Sequence, residues 1–380
     1  MGCRILLVFL VSLFFRLDCQ GFDSVSGDSI FNKRKPIIGL VLPLSGGKDA
    51  KARTENALEF YKGVILANEI CTAQDSGIEV HLFDHKNQVS GLNEISKSAC
   101  LDGLDLLVGP MRAALISPLD SIAAEKNIPL VNVLSSQNPA KPSMGYFSQQ
   151  AGNQAIAENS FELMSPLAPG LKVGIIYGPE KSDSIVADAY RKICLKNGKQ
   201  LVLFRKVGKN SAANLTKYLA DAGLDSTSHL FVPNNEPLVR VQLLSAYGVL
   251  QAKFPVMISG KWLEAPAAEY DEYAGLPFYF ADQDLPMPSV EERKIWESAY
   301  IARWGSPPTW ISWKGFDLVR MLSLEWYSLG TGKFSFGSAQ SKQCRSSVFG
   351  KYRYEVGLTE NQYVPVYKVE RTGLTQVWPQ

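Results

Sequence analysis

Histidine is scarce in this chain, with only three among 380 residues. His81 and His85 flank Asp84, but His81 falls inside an extended run and its i+4 partner beyond that run's end. The two therefore share no helical face of the kind the zinc-binding H-E-x-x-H pattern needs. Cysteine is thin as well. Cys3 and Cys19 lie in the N-terminal leader, and Cys71, Cys100, Cys194 and Cys344 are scattered without a C-x-x-C pair, which argues against a zinc site. Cys71 and Cys100 close successive helices, on opposite faces of the sheet if its strand order is 2-1-3, and read as small buried hydrophobes. There is no G-x-S-x-G nucleophile elbow. Gly46-Gly47-Lys48 and Gly330-Thr331-Gly332-Lys333 both lack the earlier glycine of a phosphate-binding loop. Without a nucleophile, a metal cluster or a phosphate cradle, the sequence speaks against an enzyme and implies no cofactor.

Strong charge is missing too. The formal net charge is +2, and the cluster Lys33-Arg34-Lys35 stands alone, with no basic stripe following it. Nucleic acid is therefore not an expected partner. Beyond the N-terminus no run is long and apolar enough to span a bilayer as a helix.

What is present begins with a leader. Arg4 precedes the apolar run Ile5 to Phe15, which is too short for a membrane span but suits the core of a signal peptide. Cys19-Gln20-Gly21 and Ser24-Val25-Ser26 supply small residues for cleavage. The expectation is a signal peptide over 1–21, a linker over 22–35 and an exported periplasmic or envelope protein, with lipid anchoring at Cys19 as a weaker alternative.

The run Ile37 to Gly47 then reads as a strand buried on both faces that ends in a small-residue turn. Helical spacing follows, with Leu58, Tyr61, Ile65 and Asn68 on one side and Ala57, Val64 and Ile70 widening the stripe. The alternation repeats through strands at 78–83, 104–108 and 129–133, then 172–177, 201–205, 229–232 and 255–259, with helices between them. The predicted fold class is α/β, with two Rossmann-like doubly wound lobes joined by a multi-crossing hinge. Lobe 1 is expected over 36–150 with 278–330, and lobe 2 over 151–277 with 340–380. In that scheme Phe278–Ala281 is a strand crossing back to lobe 1. Helices at Val290–Trp304 and Thr309–Leu329 pack on lobe 1, and a hairpin around Arg371-Thr372-Gly373 returns to lobe 2. Hinged closure over a ligand is a standard motion of such architectures.

Several motifs carry a family resemblance: Ile37-Ile38-Gly39-Leu40-Val41-Leu42-Pro43-Leu44-Ser45-Gly46, Leu107-Val108-Gly109-Pro110, Asn127-Ile128-Pro129-Leu130-Val131, then Pro308 and Gly315-Phe316-Asp317. In this order the chain resembles the type I periplasmic binding proteins, especially the leucine/isoleucine/valine-binding branch that serves ABC transporters. The resemblance implies a protein that closes two lobes over a small polar, amino-acid-like ligand and hands it to an importer's permease. The same fold occurs in lipoproteins that activate peptidoglycan synthases, so an envelope regulator acting on an enzyme partner is the alternative. In amino-acid binders of the family, hydroxyls after the third and fourth strands hold the α-carboxylate. Here the first of those loops reads Met111-Arg112-Ala113-Ala114-Leu115, without a hydroxyl.

Strand-end topology nominates the site. Ser45, Gly46, Pro110, Met111, Arg112, Ser135, Ser136, Gln137 and Asn138 are expected on one lobe. Glu180, Ser182, Asn234, Asn235, Lys261 and Trp262 are expected on the other. Arg112 and Lys261 are candidates to pair with an anionic group, Glu180 with an ammonium, and Trp262 to overhang the cleft. Trp296, Trp304, Trp310, Trp313 and Trp326 read as packing residues of the late helices. Asn214-Leu215-Thr216, although it matches a glycosylation pattern, reads as part of a helix.

Overall fold

The computed structural model describes residues 34–46, 51–135, 138–264, 272–281 and 291–329, then 333–334, 336, 345–346, 351–354, 358–371 and 373–378. The leader, Ser136, Gln137 and Cys344 lie outside the described residues. The chain opens with β1 (Ile37–Leu42), α1 (Lys51–Thr72), β2 (Glu79–Asp84), α2 (Val89–Ser96), β3 (Leu106–Val108), α3 (Ile116–Glu125), β4 (Leu130–Asn132) and β5 (Tyr146–Ala151). It continues with α4 (Asn153–Leu167), β6 (Lys172–Tyr177), α5 (Lys181–Lys196), β7 (Gln200–Lys206), α6 (Leu215–Ala222), β8 (His229–Val232), α7 (Pro237–Val249), β9 (Val256–Ser259) and β10 (Phe278–Ala281). The remainder comprises α8 (Glu291–Trp304), α9 (Trp310–Leu329), β11 (Arg345–Ser346), β12 (Lys351–Tyr352), β13 (Glu360–Asn361), β14 (Val366–Glu370) and β15 (Gly373–Trp378).

The described residues divide into two compact units. The first holds those up to Gln150 and within Ser289–Asn361; the second holds those within Ala151–Pro288 and Gln362–Gln380. In the first, the sheet order is β13-β5-β4-β3-β1-β2, with β1 to β5 paired in parallel. In the second it is β15-β14-β10-β9-β8-β6-β7. There β6 to β10 pair in parallel, and the β14–β15 hairpin adds antiparallel to β10. Each unit is thus doubly wound, and strand order reverses beside β1 in one and beside β6 in the other. Those reversals are where open α/β sheets bind ligands.

Burial explains the strands. From Ile38 onward β1 is wholly buried, and so is β8. In the first unit Ile38, Leu40 and Leu42 face α1, α8 and α9, while Val41 and Leu107 face α2 and α3. The buried stripe of α1 runs through Ala57, Phe60, Val64, Ala67 and Cys71, alternating steps of three and four as a helix packed on a sheet requires. Leu58, expected on that stripe, is 45% exposed. The apolar residues of this helix extend around too much of its surface for periodicity to single out the packed side.

Two glycines bring α1 and α9 into backbone contact. A methyl group at Gly63 would lie 1.9 Å from the Ser312 carbonyl oxygen, and one at Gly315 would lie 2.1 Å from that of Phe60. Neither neighbour is a flexible side chain that can swing away. Beside this crossing the ring of Trp296 packs on Phe316 at 5.0 Å and on Tyr300 at 5.3 Å. Trp296 and Trp326 are buried, as packing residues should be, whereas Trp310 is half exposed.

Four expectations need correction. β10 does not return to the first lobe: it pairs with β9 and β14, and Phe278 and Phe280 fill the second unit's core with Tyr273. The described residues of 340–361 belong to the first unit, where β13 closes the sheet beside β5. β5 itself was not anticipated, because its Ser148, Gln149 and Gln150 are polar yet buried. Partners for the side chains make this tolerable: Ser148 Oγ donates to the Gln150 carbonyl at 3.3 Å, Gln149 Nε2 to the Met321 sulfur at 3.4 Å, and Gln150 Nε2 to the Val133 carbonyl at 3.0 Å. Finally, Cys71 and Cys194 are buried and free, but Cys100 is exposed, since Leu101 takes the inward position of its turn.

Replacing Gly315 with alanine should push α1 and α9 apart. Urea unfolding is expected to show a loss of about 1–3 kcal/mol for Gly315→Ala, and an unchanged midpoint would refute the close-contact account.

Candidate ligand-binding site

In the first unit the loops after β1, β2 and β3 are tied to one another. Asp84, the last residue of β2, accepts from the Leu44 amide at 3.0 Å, from the Lys86 amide at 2.8 Å and from the Ser45 hydroxyl. Burial acts to raise the Asp84 carboxyl, but the donors of Ser45, Lys86 and Leu44 outweigh it and hold the group below its ordinary value. Arg112 donates to the Asn87 carbonyl oxygen. Its neighbour Met111 packs against the core, and Pro110 is buried. Ser45 and Gly46 are exposed, but the Ser45 hydroxyl is committed to Asp84. His85 is buried, its Nδ1 accepting from the Asn87 amide at 3.1 Å, and burial lowers its pKa.

The loop after β4 is braced in the same way. Asn132 donates to the Ser135 carbonyl at 2.7 Å and accepts from the Ser135 amide at 3.2 Å. Tyr146 donates its hydroxyl to Asn138 Oδ1 at 2.6 Å, and Asn138 donates to Glu360. The polar groups expected to face a ligand here are largely spent on holding the loops. Ser136 and Gln137 lie outside the described residues.

The second unit is arranged differently. Asn234 donates to the Val207 carbonyl at 2.8 Å and accepts from the Glu236 amide at 2.9 Å, while its own carbonyl receives the Trp262 indole N–H at 2.5 Å. Trp262 is 3% exposed and belongs to the core, so it braces the β8 loop and does not overhang a cleft as expected. An indole with one polar edge buries readily once that edge finds an acceptor. Glu180 precedes α5 and is exposed, as are Ser182 and Lys261.

The residue that sequence reasoning missed is Asp183. It lies in the first turn of α5, is 6% exposed, and its Oδ2 has no hydrogen-bond partner. Its Oδ1 receives a long bond from the Ser182 hydroxyl at 3.4 Å, and the Glu180 backbone also donates toward the carboxylate. Burial, then the charge of Glu180, push its carboxyl up to about 6, against the opposing effects of the Ser182 hydroxyl, Lys261 and the Glu180 backbone. Asn235, on the loop after β8, also has a buried side-chain oxygen without a donor. A signal for Asp183 was available: it stands in phase with Val186, Ala187, Tyr190 and Cys194, the buried stripe of α5, so a carboxylate was placed on an inward face.

Among the described residues no cluster of metal-ligating side chains occurs and no helix is long and apolar enough to cross a membrane. A surface cavity of about 350 Å³ is lined by Leu219, Gly223, Asp225, Leu250 and Phe254 among others. It lies where α6 and α7 end and β8 and β9 begin, at the amino ends of the strands and not at the carboxyl ends where such sheets bind ligands.

Comparison with known proteins agrees with this architecture. Residues 37–323 match the profile of the periplasmic binding protein family, and the chain belongs to that family. No curated protein matches the chain. A putative branched-chain amino acid ABC transporter from Rhodospirillum rubrum superposes with a TM-score of 0.71 at 15% identity, covering 90% of this chain and 100% of that one. An ABC transporter substrate-binding protein from Desulfitobacterium hafniense in complex with Leu gives 0.57 at 16% identity, over 90% and 100% of the two chains. The C-domain of LpoA (YraM) from Haemophilus influenzae, a regulator of PBP1A, gives 0.62 at 16% identity, over 90% and 99%. At these identities the likeness establishes the fold, two mostly parallel α/β sheets of the type I periplasmic binding class.

Asp183 yields a stability prediction. A carboxyl whose folded pKa stands near 6, above an unfolded value of about 4, binds more protons in the native state than in the unfolded state between those values. Its contribution to stability therefore falls as pH rises through that window and stays low above it. The difference in unfolding free energy between Asp183→Asn and wild type should move in the variant's favour from pH 4 to 6, by about 1–3 kcal/mol, and then level off. A difference independent of pH in urea titrations would show that Asp183 is not held as described.

Proposed function

We propose that this protein is an exported solute-binding protein that recognises a small polar, amino-acid-like ligand at the carboxyl-end loops of its strands and delivers it to an ABC importer without converting it. The observation that carries this reading is the family match over 37–323 combined with a buried carboxylate, Asp183, at a strand-end switch point, one of whose oxygens has no hydrogen-bond partner. Doubly wound sheets bind ligands at that position, and a folded protein does not ordinarily leave a buried charge uncompensated.

A second reading is an envelope regulator of the same fold. It is favoured by the first unit, where Ser45, Arg112, Ser135 and Asn138 are engaged within the protein and no hydroxyl follows β3. It is also supported by the likeness to the LpoA C-domain.

A thermal-shift series on the purified chain, with amino acids, short peptides, sugars and cell-wall fragments, separates the two. Ligand at a hundredfold excess over its Kd stabilises by about 2.7 kcal/mol, and a saturable rise in Tm with at least one solute is the expected outcome. No shift with any solute, together with co-purification of a peptidoglycan synthase, would replace the transport reading with the regulatory one. Turnover of any compound would overturn both.

A further inference from the structure

We propose that the outer face of α7 is a self-association surface, on which a second copy of this chain packs antiparallel about a two-fold axis beside Ser245. The proposal goes beyond the solute-binding reading and does not depend on which ligand the protein takes.

A helix on the surface of a globular protein normally turns charged residues to solvent, and α7 does not. Its thirteen residues include one charged side chain, Arg240, which is half-buried and lies off the outer face at 100° per residue. Val239, Leu243, Ala246 and Tyr247 form the buried stripe. The outward stripe, in steps of three and four, is Leu238, Val241, Ser245 and Val249. All four are exposed, Val241 by 53% and Val249 by 69%. Gly248 belongs to the same face. A methyl group there would meet nothing within 4 Å, so no contact inside this chain calls for a glycine, which weakens a helix. Its effect is to leave the backbone of the last turn bare to a close neighbour.

This face is complementary to itself. In a two-fold contact each residue meets the counterpart that the axis places opposite it. With the axis at Ser245, Val241 meets Val249 of the partner subunit, and Leu238 meets Ala252 of the partner subunit. Leu238 stands out from the first turn of α7. Ala252 lies in the cavity of about 350 Å³ at the foot of the same helix, with Leu219, Leu250 and Phe254. Each copy thus carries a knob at one end of α7 and a hole at the other, seven residues to either side of Ser245. Charge agrees with this arrangement. Glu236 precedes α7 and Lys253 follows it, so antiparallel packing sets Glu236 beside Lys253 of the partner subunit at both ends. Parallel packing would set like charges together, and it would also align the two helix dipoles unfavourably. A helix that lies on a membrane carries a polar face rich in lysine and arginine, which α7 lacks. A contact built on one helix pair is smaller than the standard interface of about 800 Å² per partner, so the dimer is expected to be weak and concentration-dependent.

The test is sedimentation velocity of the purified full chain over about 1 to 500 μM. A concentration-dependent shift from monomer toward dimer is expected. Val241→Glu and Val249→Lys should each weaken association by about tenfold or more, because each buries a charge without a partner. The double variant Val241→Glu/Val249→Lys should recover association, since antiparallel pairing sets those two positions opposite each other and parallel pairing does not. Both positions are exposed in the single chain, and thermal melting of each variant guards against misfolding. A chain that stays monomeric throughout the range would overturn the proposal, and monomers that bind anionic lipid vesicles and lose them in Val241→Glu would assign the face to a membrane instead. Association that both single variants leave unchanged would place the contact elsewhere and overturn it too. So would a double variant that associates no better than either single one. Solute-induced thermal shifts should be the same in all these variants, so none of these outcomes bears on the solute-binding reading.

Discussion

A parallel strand covered by helices on both faces has no side to turn toward water, and this constraint governs the rest of the protein. Its side chains must be apolar wherever the sheet is covered, as they are through β1, from Val173 to Ile176 of β6 and from Leu230 to Val232 of β8; His229, at the start of β8, is buried only with the Tyr190 hydroxyl as its partner at 2.8 Å. Polar chemistry is pushed to the ends of the strands. Because successive parallel strands point the same way, their carboxyl ends gather on one edge of each sheet. Every group discussed above as a ligand contact stands at such an edge or on the turn that follows it.

The two units use that edge in opposite ways. In the first, most of the polar groups at the strand ends are matched within the protein, His85 Nε2 excepted: Asp84 is bonded by Ser45, Leu44 and Lys86, Arg112 by Asn87, and Asn138 by Tyr146 and Glu360. Hydrogen bonds of this kind stiffen the loops they join. In the second, Asn234 and Trp262 form a comparable brace, but Asp183 and Asn235 keep unpaired oxygens.

Packing beneath these edges is equally specific. α1 and α9 touch backbone to backbone through Gly63 and Gly315, and α8 is held against α1 by the Tyr300 hydroxyl on Glu59 at 2.8 Å and by Arg303 on Glu69 at 2.8 Å. The glycine of Gly315-Phe316-Asp317, which carried part of the family resemblance, thus has a steric reason for being there. A larger residue would separate the two helices that cover one face of the first sheet.

Much of the architecture was legible in the sequence, because apolar runs bounded by turn residues and alternating with helical periodicity reflect local physics. From them came the α/β class, the two doubly wound units and the positions of most strands. Elements whose polar residues are satisfied only by distant partners were not legible. β5 hides the side chains of Gln149 and Gln150 behind bonds to the Met321 sulfur and the Val133 carbonyl, and β10 takes its place from pairing with β9 and β14. The same holds for the site. Sequence determined which loops stand at strand ends, since that follows from element order. Only the tertiary structure decided that Ser45, Arg112 and Trp262 are braces and that Asp183 is buried with one oxygen unbonded, because satisfaction of a polar atom depends on which partners the fold brings within reach.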